Sequence, residues 1–330
     1  SGGKRVMAII DDASTVFQCT LYAGTGSEQA ITNSGNSDLS ADMLWFKNRD
    51  EGNSHIFINS VRGVTKGFQG DNTGAEFTST AYLSSIDSDG FTVNTADNTN
   101  YNGSNLVCWQ WKEAASVFDI VVYDGNSTNR TISHSLGVVP TMIIFFCITA
   151  SKNRIVYHQG IGNTHSFILN ESNTEADVAD HFNDTSPTSS VFTVGTNDSL
   201  NGDNKSYVAY LFGDSSVSKC GLYLGNGSTD GAMVNTNFTP SFVMIKRVAG
   251  GNSGWFIYDN KRDSLNPNTA HLAAQVGGSE ANDYAVDFLS NGFKLRHADA
   301  DVNGASTEYV YLAMGAAPIV TSTGVPATAV

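Results

Sequence analysis

The sequence predicts an all-β protein made of three tandem β-sandwich domains of a jelly-roll-like kind. Only 15% of the 330 residues are charged, 32 are glycine, and Asn, Ser, Thr and Asp are frequent. Helix surfaces normally carry Lys, Glu and Arg, so this composition favours short strands joined by turns. Short β-branched and aromatic runs, separated by Asn-Gly, Asp-Gly and Gly-Gly pairs, are the pattern of a β-sandwich.

An internal repeat of about 100 residues sets the domain organisation. Similar strings recur as CTLYAGTGS, DIVVYDGNS and CGLYLGNGS, which begin at residues 19, 119 and 220. They carry tyrosines that lie 101 and 100 residues apart, and a later phenylalanine recurs at intervals of 101 residues: Tyr22, Tyr123 and Tyr223, then Phe91, Phe192 and Phe293. A period of this length matches a whole small domain, whereas solenoid and propeller units are shorter.

The repeats predict the domain boundaries. We place an N-terminal segment at 1–14, sandwich repeats at 15–115, 116–215 and 216–317, and a C-terminal tail at 318–330. No long linker separates the repeats, so we expect them to pack closely. Because the chain opens without Met, we also expect a processed or trimmed product.

Each repeat is predicted to contain seven or eight strands. In the third repeat we place eight of them, at 221–225, 232–236, 242–248, 254–260, 270–276, 285–290, 292–297 and 308–316. The best helix candidate is TEADVADHF, residues 174–182, for which we expect one or two turns. No run of 18 apolar residues occurs, so we expect no membrane-spanning segment.

Charge and cysteine content narrow the partners. The formal charge of −14, without a basic cluster, disfavours nucleic acid and anionic lipid. All four cysteines fall on predicted strands, but only two of them share a repeat position, Cys19 and Cys220. A disulfide framework would recur in every repeat, so we favour buried free thiols over disulfides.

No catalytic or cofactor motif is present in the sequence. It has no GxSxG, HExxH, CxxC or P-loop string, and no GxGxxG fused to a helical pattern. The chain is therefore expected to be non-enzymatic and to need no cofactor. His158 stands where the other repeats have Asn59 and Asp259. At such a strand end a solvated or hydrogen-bonded role is favoured over that of a general base, and a metal site formed with His165 and His181 is disfavoured.

One loop resembles half of a calcium site. Asp299, Asp301 and Asn303 alternate as in a calcium loop, but the sequence has Val310 where a bidentate Glu is needed. All three repeats contain Asn-Gly nearby, beginning at Asn102, Asn201 and Asn303. Because Asn-Gly suits a tight hairpin turn, we favour a turn over calcium and predict no obligatory metal.

Two sets of residues are candidates for ligand contacts. Lys47, Arg49, Lys246 and Arg247 lie at one predicted strand end, where salt bridges on the surface or between domains are favoured over a ligand site. The loops 50–55, 158–165 and 248–255 differ most between repeats. Their His158, His165 and Trp255 could hydrogen-bond to or stack on a sugar, with Trp255 exposed, although solvated loops are the alternative.

Strings in the first and third repeats are similar to those of a known class of modules. They are LWFKNRDEGNSHIFINSVRG, DSDGFTVN and NLVCWQWKEA in the first repeat, and FTPSFVMIKR, WFIYDNKRD and YVYLAMG in the third. The chain resembles the tandem modules of about 100 residues found in structural proteins of tailed phages, particularly phages of marine bacteria. The resemblance covers essentially the whole chain, and the second repeat departs from it most. It implies a virion part such as a tail fibre, tail tip or capsid appendage.

Three function classes compete at this point. A virion structural or adhesion protein, assembled in the host cytoplasm, would have other virion proteins and copies of itself as partners, with a trimer expected by analogy. A carbohydrate-binding lectin explains the sandwich and the aromatic residues equally well, and a host-surface glycan would be its ligand. A glycan depolymerase would need paired carboxylates in a cleft, and the sequence singles out no such pair.

Overall fold

The computed structural model describes residues 10–316, and almost all of their regular structure is β-strand. A short 3-10 turn, Ala13–Thr15, precedes the first repeat, which also contains one helical turn, α1 (Asp97–Asn100). The strands of the first repeat are β1 (Phe17–Ala23), β2 (Gln29–Thr32), β3 (Met43–Asn48), β4 (Ile56–Asn59), β5 (Lys66–Gln69), β6 (Phe77–Thr78), β7 (Leu83–Asp87), β8 (Gly90–Val93) and β9 (Asn105–Trp111).

The second and third repeats reproduce this order with fewer strands. The second has the helical turn α2 (Ala179–Phe182) and β10 (Phe118–Asp124), β11 (Arg130–Ser133), β12 (Pro140–Cys147), β13 (Ile155–His158), β14 (His165–Ile168), β15 (Ala176–Asp177), β16 (Val191–Val194) and β17 (Ser206–Gly213). The third has β18 (Ser218–Leu224), β19 (Met233–Asn235), β20 (Pro240–Arg247), β21 (Trp255–Asp259), β22 (Leu272–Ala273), β23 (Val286–Leu289), β24 (Gly292–Leu295) and β25 (Glu308–Gly315).

Each repeat pairs a large antiparallel sheet with a small one. The large sheets have the orders β1-β9-β3-β4-β5-β6, β10-β17-β12-β13-β14-β15 and β18-β25-β20-β21-β22. The small sheets have the orders β2-β8-β7, β11-β16 and β19-β24-β23. Each sheet therefore takes its strands from one repeat, and every sandwich is asymmetric, with six and three, six and two, and five and three strands in the first, second and third repeats.

A separate core fills each sandwich. In the first repeat, Leu44 and Phe46 of the large sheet pack against Phe91 and Val93 of the small sheet. The second and third repeats bury the equivalent sets, which include Ile143, Phe145, Phe192 and Val194, then Val243, Ile245, Phe293 and Leu295. These residues face the small sheet because alternate side chains of a strand point to the same side of its sheet.

A fourth core, here called the central core, joins the three repeats. It is built from the other face of each large sheet, so Met43 and Trp45 lie in it while their neighbours Leu44 and Phe46 lie in the repeat core. Aromatic pairs cross every interface between repeats: Phe57 with Phe146 at 5.1 Å between ring centroids, Trp111 with Phe242 at 5.6 Å, and Phe167 with Trp255 at 5.3 Å. The three large sheets are thus buried on both faces, which accounts for apolar runs such as MLWF and MIIFFC.

The predicted elements compare closely with the observed ones. All eight strands expected in the third repeat are present, with their ends shifted by a few residues. The helix expected at 174–182 is a single turn, Ala179–Phe182, because residues 176–177 pair with β14 instead. The four cysteines are buried and free, as the sequence predicts. Because the repeats share a core, their standing as separate domains stays a prediction.

Candidate functional site

The repeated Tyr-x-Gly string makes the same set of contacts in all three repeats. This set, formed by the tyrosine, the glycine and the residues that they touch, is here called the lock. Each tyrosine ring packs edge-on against the repeated phenylalanine, with centroid distances of 5.7, 6.0 and 6.0 Å. Each tyrosine hydroxyl donates a hydrogen bond to a carbonyl about 78 residues further along, that of Thr99, Leu200 or Val302, over 2.5 to 2.7 Å. The glycine two residues after the tyrosine is required, because a Cβ at Gly24, Gly125 or Gly225 would lie 2.1 to 2.3 Å from a carbonyl oxygen.

A buried asparagine completes each lock. These asparagines are Asn100, Asn201 and Asn303. The side-chain nitrogen of each one donates to backbone carbonyls of two separate segments. The side-chain oxygen of each one accepts a hydrogen bond from a backbone N–H of the repeated string. Asn102 is exposed, so it is not the equivalent of Asn201 and Asn303. The equivalent residue in the first repeat is Asn100, which is buried. The hairpin prediction is wrong, because each asparagine ends a helical turn and none of the three has a positive φ.

The half calcium motif belongs to this lock. Asn303 uses its amide within the protein, Asp301 accepts a hydrogen bond from the Tyr284 hydroxyl at 2.9 Å, and the Asp299 carboxylate accepts the N–H of Asp301 at 2.8 Å. Each of these three side chains therefore has a hydrogen-bond partner within the protein. Among residues 10–316, no group of three or more His, Cys, Asp or Glu side chains could hold a metal ion.

His158 lies in a ring of contacts between the repeats. The last residue of the fourth strand is buried in each repeat and forms a hydrogen bond to the next repeat. Asn59 donates to the Tyr210 hydroxyl at 2.8 Å, and His158 Nε2 donates to the Tyr311 carbonyl at 3.1 Å. Asp259 accepts a hydrogen bond of 3.0 Å from Trp109 Nε1. The contacts run from repeat 1 to 2, from 2 to 3 and from 3 back to 1. His158 is therefore buried and hydrogen-bonded, whereas the sequence leaves a solvated or a hydrogen-bonded role open. Its Nδ1 accepts from the N–H of Gly160, and burial lowers its pKa to about 4.

Trp255 lies in a second ring of the same kind, so its predicted exposure is wrong. His55, Arg154 and Trp255 occupy equivalent positions and are buried. Each one donates to the carbonyl of the last residue of the fifth strand in a neighbouring repeat. His55 donates to Ala273 at 3.1 Å, Arg154 to Gln69 at 3.1 Å, and Trp255 to Ile168 at 3.0 Å. His55 Nδ1 accepts from Trp45, and burial lowers the pKa of His55 to about 3.

A third ring is formed by backbone groups alone. The N–H groups of Glu76, Glu175 and Glu280 donate to the carbonyls of Ile148, Val248 and Arg49 over 2.7 to 3.1 Å. The Arg49 side chain adds a salt bridge of 2.8 Å to Glu280, which joins repeats 1 and 3. A salt bridge between repeats was one of the sequence-based interpretations of Arg49, and it is the one observed.

Lys47 and Lys246 are buried, and neither forms a salt bridge within residues 10–316. Lys47 donates to the carbonyls of Asn48 and Glu51, and Lys246 to those of Ser172 and Ser253. Burial lowers the pKa of each lysine to about 8. The second repeat has Phe146 at this position, and the Arg154 guanidinium lies 4.8 Å from its ring centroid. Arg154 therefore supplies the cation from a neighbouring strand.

The other candidate ligand residues are not brought together on a surface. His165 is half-buried and its Nδ1 contacts the Thr164 hydroxyl at 2.7 Å. His158 and Trp255 both lie in the interface between repeats 2 and 3, where neither is accessible to solvent. No signal in a single sequence marks these positions as interface residues, apart from their alignment across the repeats.

Sequence reasoning missed a groove on the first repeat, here called the aromatic groove. It is lined by Gln69, Asn72, Gly74, Ala75, Phe77, Ser79 and Tyr82 and encloses about 280 Å³. The rings of Phe77 and Tyr82 are stacked, with centroids 4.5 Å apart and planes at 28°. The lining contains two side-chain amides, two hydroxyls and two aromatic rings, but no charged group.

Comparisons with known proteins place the chain in a family. A comparison with curated proteins gives no significant match. Within residues 10–316 no helix is long and apolar enough to cross a membrane. The profile of one family, described as "Domain of unknown function (DUF7483)", matches residues 12–318. Because this match spans nearly the whole chain and all three repeats, the chain belongs to the DUF7483 family.

Proposed function

We propose that the chain is a non-enzymatic structural protein of a tailed-phage virion, part of a tail fibre, tail tip or capsid appendage, and that it contributes to host-surface adhesion. The observation that carries this proposal is the closed ring of three repeats around the central core. Because displacing one repeat would expose apolar surface in both others, the ring suits a rigid building block.

The structural roles of the buried polar side chains support the same proposal. The buried residues most easily taken for catalytic groups, His55, His158 and Asp259, hold repeats together. The charge of −14 on a surface poor in Lys and Arg limits nonspecific adsorption to other acidic surfaces. No cofactor enters the proposal.

The closed ring of repeats also indicates which surface is left for contacts with other chains. The surfaces that would join three single-repeat chains are already buried between repeats of one chain, so a trimer of whole chains would use outward-facing surface. Such a trimer, and contacts with other virion proteins, stay predictions. A lectin-like function is the second candidate, because the aromatic groove offers sugar-binding chemistry.

Particle association tests the proposal. Antibodies raised against the purified chain should label particles from a lysate by immunogold microscopy, and the chain should sediment with them in a density gradient. Label on a tail rather than a shell would choose between the virion parts. A chain that stays in the soluble fraction and never associates with particles would contradict the proposal.

A further inference from the structure

The aromatic groove is a feature of the first repeat alone. Phe77 pairs with Gly67 in the large sheet, and the equivalent positions in the other repeats are Ala176 and Ala281. The Phe77 ring lies over Gly67, where a Cβ would come within 2.6 Å of it. The second and third repeats, with Ser166 and His271 at the glycine position, therefore have neither the ring nor the space for it.

The polar part of the groove is held in a fixed orientation. The Asn72 amide donates to Gln69 Oε1 at 2.6 Å, and its oxygen accepts the N–H of Gly74 at 2.8 Å. Within residues 10–316 neither the Gln69 side-chain nitrogen nor the Tyr82 hydroxyl has a hydrogen-bond partner. The groove thus combines a stacked aromatic pair with donors and acceptors that are free for a ligand.

The second repeat fixes the loop that forms the groove. Arg154 donates to the carbonyls of Gln69 and Gly74, and the N–H of Lys152 donates to the Thr73 carbonyl at 2.8 Å. The Glu76 carboxylate, at the end of the loop, accepts two hydrogen bonds from Arg62, of 2.8 and 2.9 Å. A ligand would meet a preformed groove, which lowers the entropy cost of binding.

We propose that the aromatic groove binds one unit of a neutral saccharide. A sugar ring places an apolar C–H face on an aromatic ring and its hydroxyls on amide groups, which is the combination found here. Anionic ligands are disfavoured, because the lining carries no cation and the chain has a charge of −14. The proposal deepens the adhesive part of the proposed function and names its ligand class.

A proline-rich peptide is the alternative that the test must separate. Grooves for such peptides are lined by aromatic residues along an extended polyproline helix. Here one stacked pair lies in a space of about 280 Å³, which suits a single ring better than an extended chain.

Saturation-transfer NMR on the purified full chain tests the proposal. The probes are glucose, galactose, mannose and N-acetylglucosamine, followed by an array of neutral bacterial glycans. Phe77→Ala restores the residue of the other two repeats and should weaken binding about tenfold or more. The matched control is Tyr101→Ala, which removes an aromatic side chain that is 39% exposed outside the groove, and it should bind like the wild type.

Gln69→Ala provides a second variant in case Phe77→Ala disturbs the fold, which near-ultraviolet circular dichroism would reveal. It should also weaken binding. Equal binding by the wild type and both variants, no binding to any of these saccharides, or binding only to a proline-rich decapeptide would each overturn the proposal. Since the assay uses purified protein and free sugars, its failure is distinct from a failure to sediment with particles.

Discussion

The indole N–H of Trp109 donates a hydrogen bond of 3.0 Å to the carboxylate of Asp259, although the two residues lie 150 positions apart and in the first and third repeats. Asp259 also accepts a hydrogen bond of 2.5 Å from Arg262 Nε, and both side chains are fully buried. Burial alone would raise the pKa of Asp259, but the Arg262 charge and the hydrogen bonds lower it below its ordinary value. This contact closes the ring of repeats.

Removing Arg262 should therefore destabilise the whole chain. Arg262→Ala leaves the Asp259 carboxylate buried without its cation, and loss of one partner from a buried pair costs about 3 to 5 kcal/mol. The free energy of unfolding, measured by urea denaturation, checks this. Arg296→Ala is the control, because Arg296 is 39% exposed and pairs with Asp287 at 3.4 Å. It should cost less than about 1 kcal/mol, and an equal cost for both variants would contradict the prediction.

The buried histidines should make the fold sensitive to acid. An unfolded imidazole has a pKa of about 6.5, and the folded pKa of His158 is about 4, because burial disfavours its charged form. Between these values only the unfolded chain binds the proton. The stabilisation is thus present above about pH 6.5 and is lost as the pH falls towards 4, at up to about 1.4 kcal/mol per pH unit for one group.

His158→Asn isolates this contribution, since asparagine stands at the equivalent position 59 and bonds to its neighbouring repeat. Free energies of unfolding measured from pH 7 to 4 should fall less steeply for the variant than for the wild type. The remaining slope should include contributions from His55, His181 and His271, whose pKa values are also lowered by burial. Identical slopes would show that His158 is not the neutral buried group described here.

The period of the repeats predicts the class of fold and the strands, because aromatic and β-branched runs and their turns recur in every copy. It also identifies Tyr22, Tyr123 and Tyr223, whose contacts are local to each repeat. It does not reveal that His158 and Trp255 are buried. A histidine at a strand end and a tryptophan after Gly-Asn-Ser-Gly have the local sequence of exposed positions, and only the neighbouring repeat covers them.

The Asn-Gly pairs show a different limit. Asn-Gly strongly favours a tight turn, and this local preference led to the choice of Asn102. The structure uses Asn100 instead, because the side chain of Asn100 reaches segments more than 70 residues away. Long-range hydrogen bonds of this kind leave no local pattern. The aromatic groove was missed for a similar reason, since its rings come together only when β5 and β6 pair.

Asn100→Ala and Asn102→Ala form a matched pair of variants two residues apart. Asn100 is fully buried, donates to the carbonyls of Ser27 and Asn94, and accepts the N–H of Thr25. Its loss should lower the free energy of unfolding by about 3 kcal/mol or more, because each buried group left unpaired adds a penalty. Asn102 is exposed, and its variant should lie within about 0.5 kcal/mol of the wild type. The reverse order in urea denaturation would restore the hairpin interpretation.

The three repeats should unfold in one transition, because the central core takes side chains from all of them. Loss of the third repeat would expose Trp109 and Trp111 of the first and Phe167 of the second, and leave the polar ring contacts open. Differential scanning calorimetry should therefore give a calorimetric enthalpy equal to the van't Hoff enthalpy. A fragment limited to residues 216–330 should lack fixed tertiary structure by near-ultraviolet circular dichroism. Two or three separate transitions, or a folded fragment, would instead establish the repeats as independent domains.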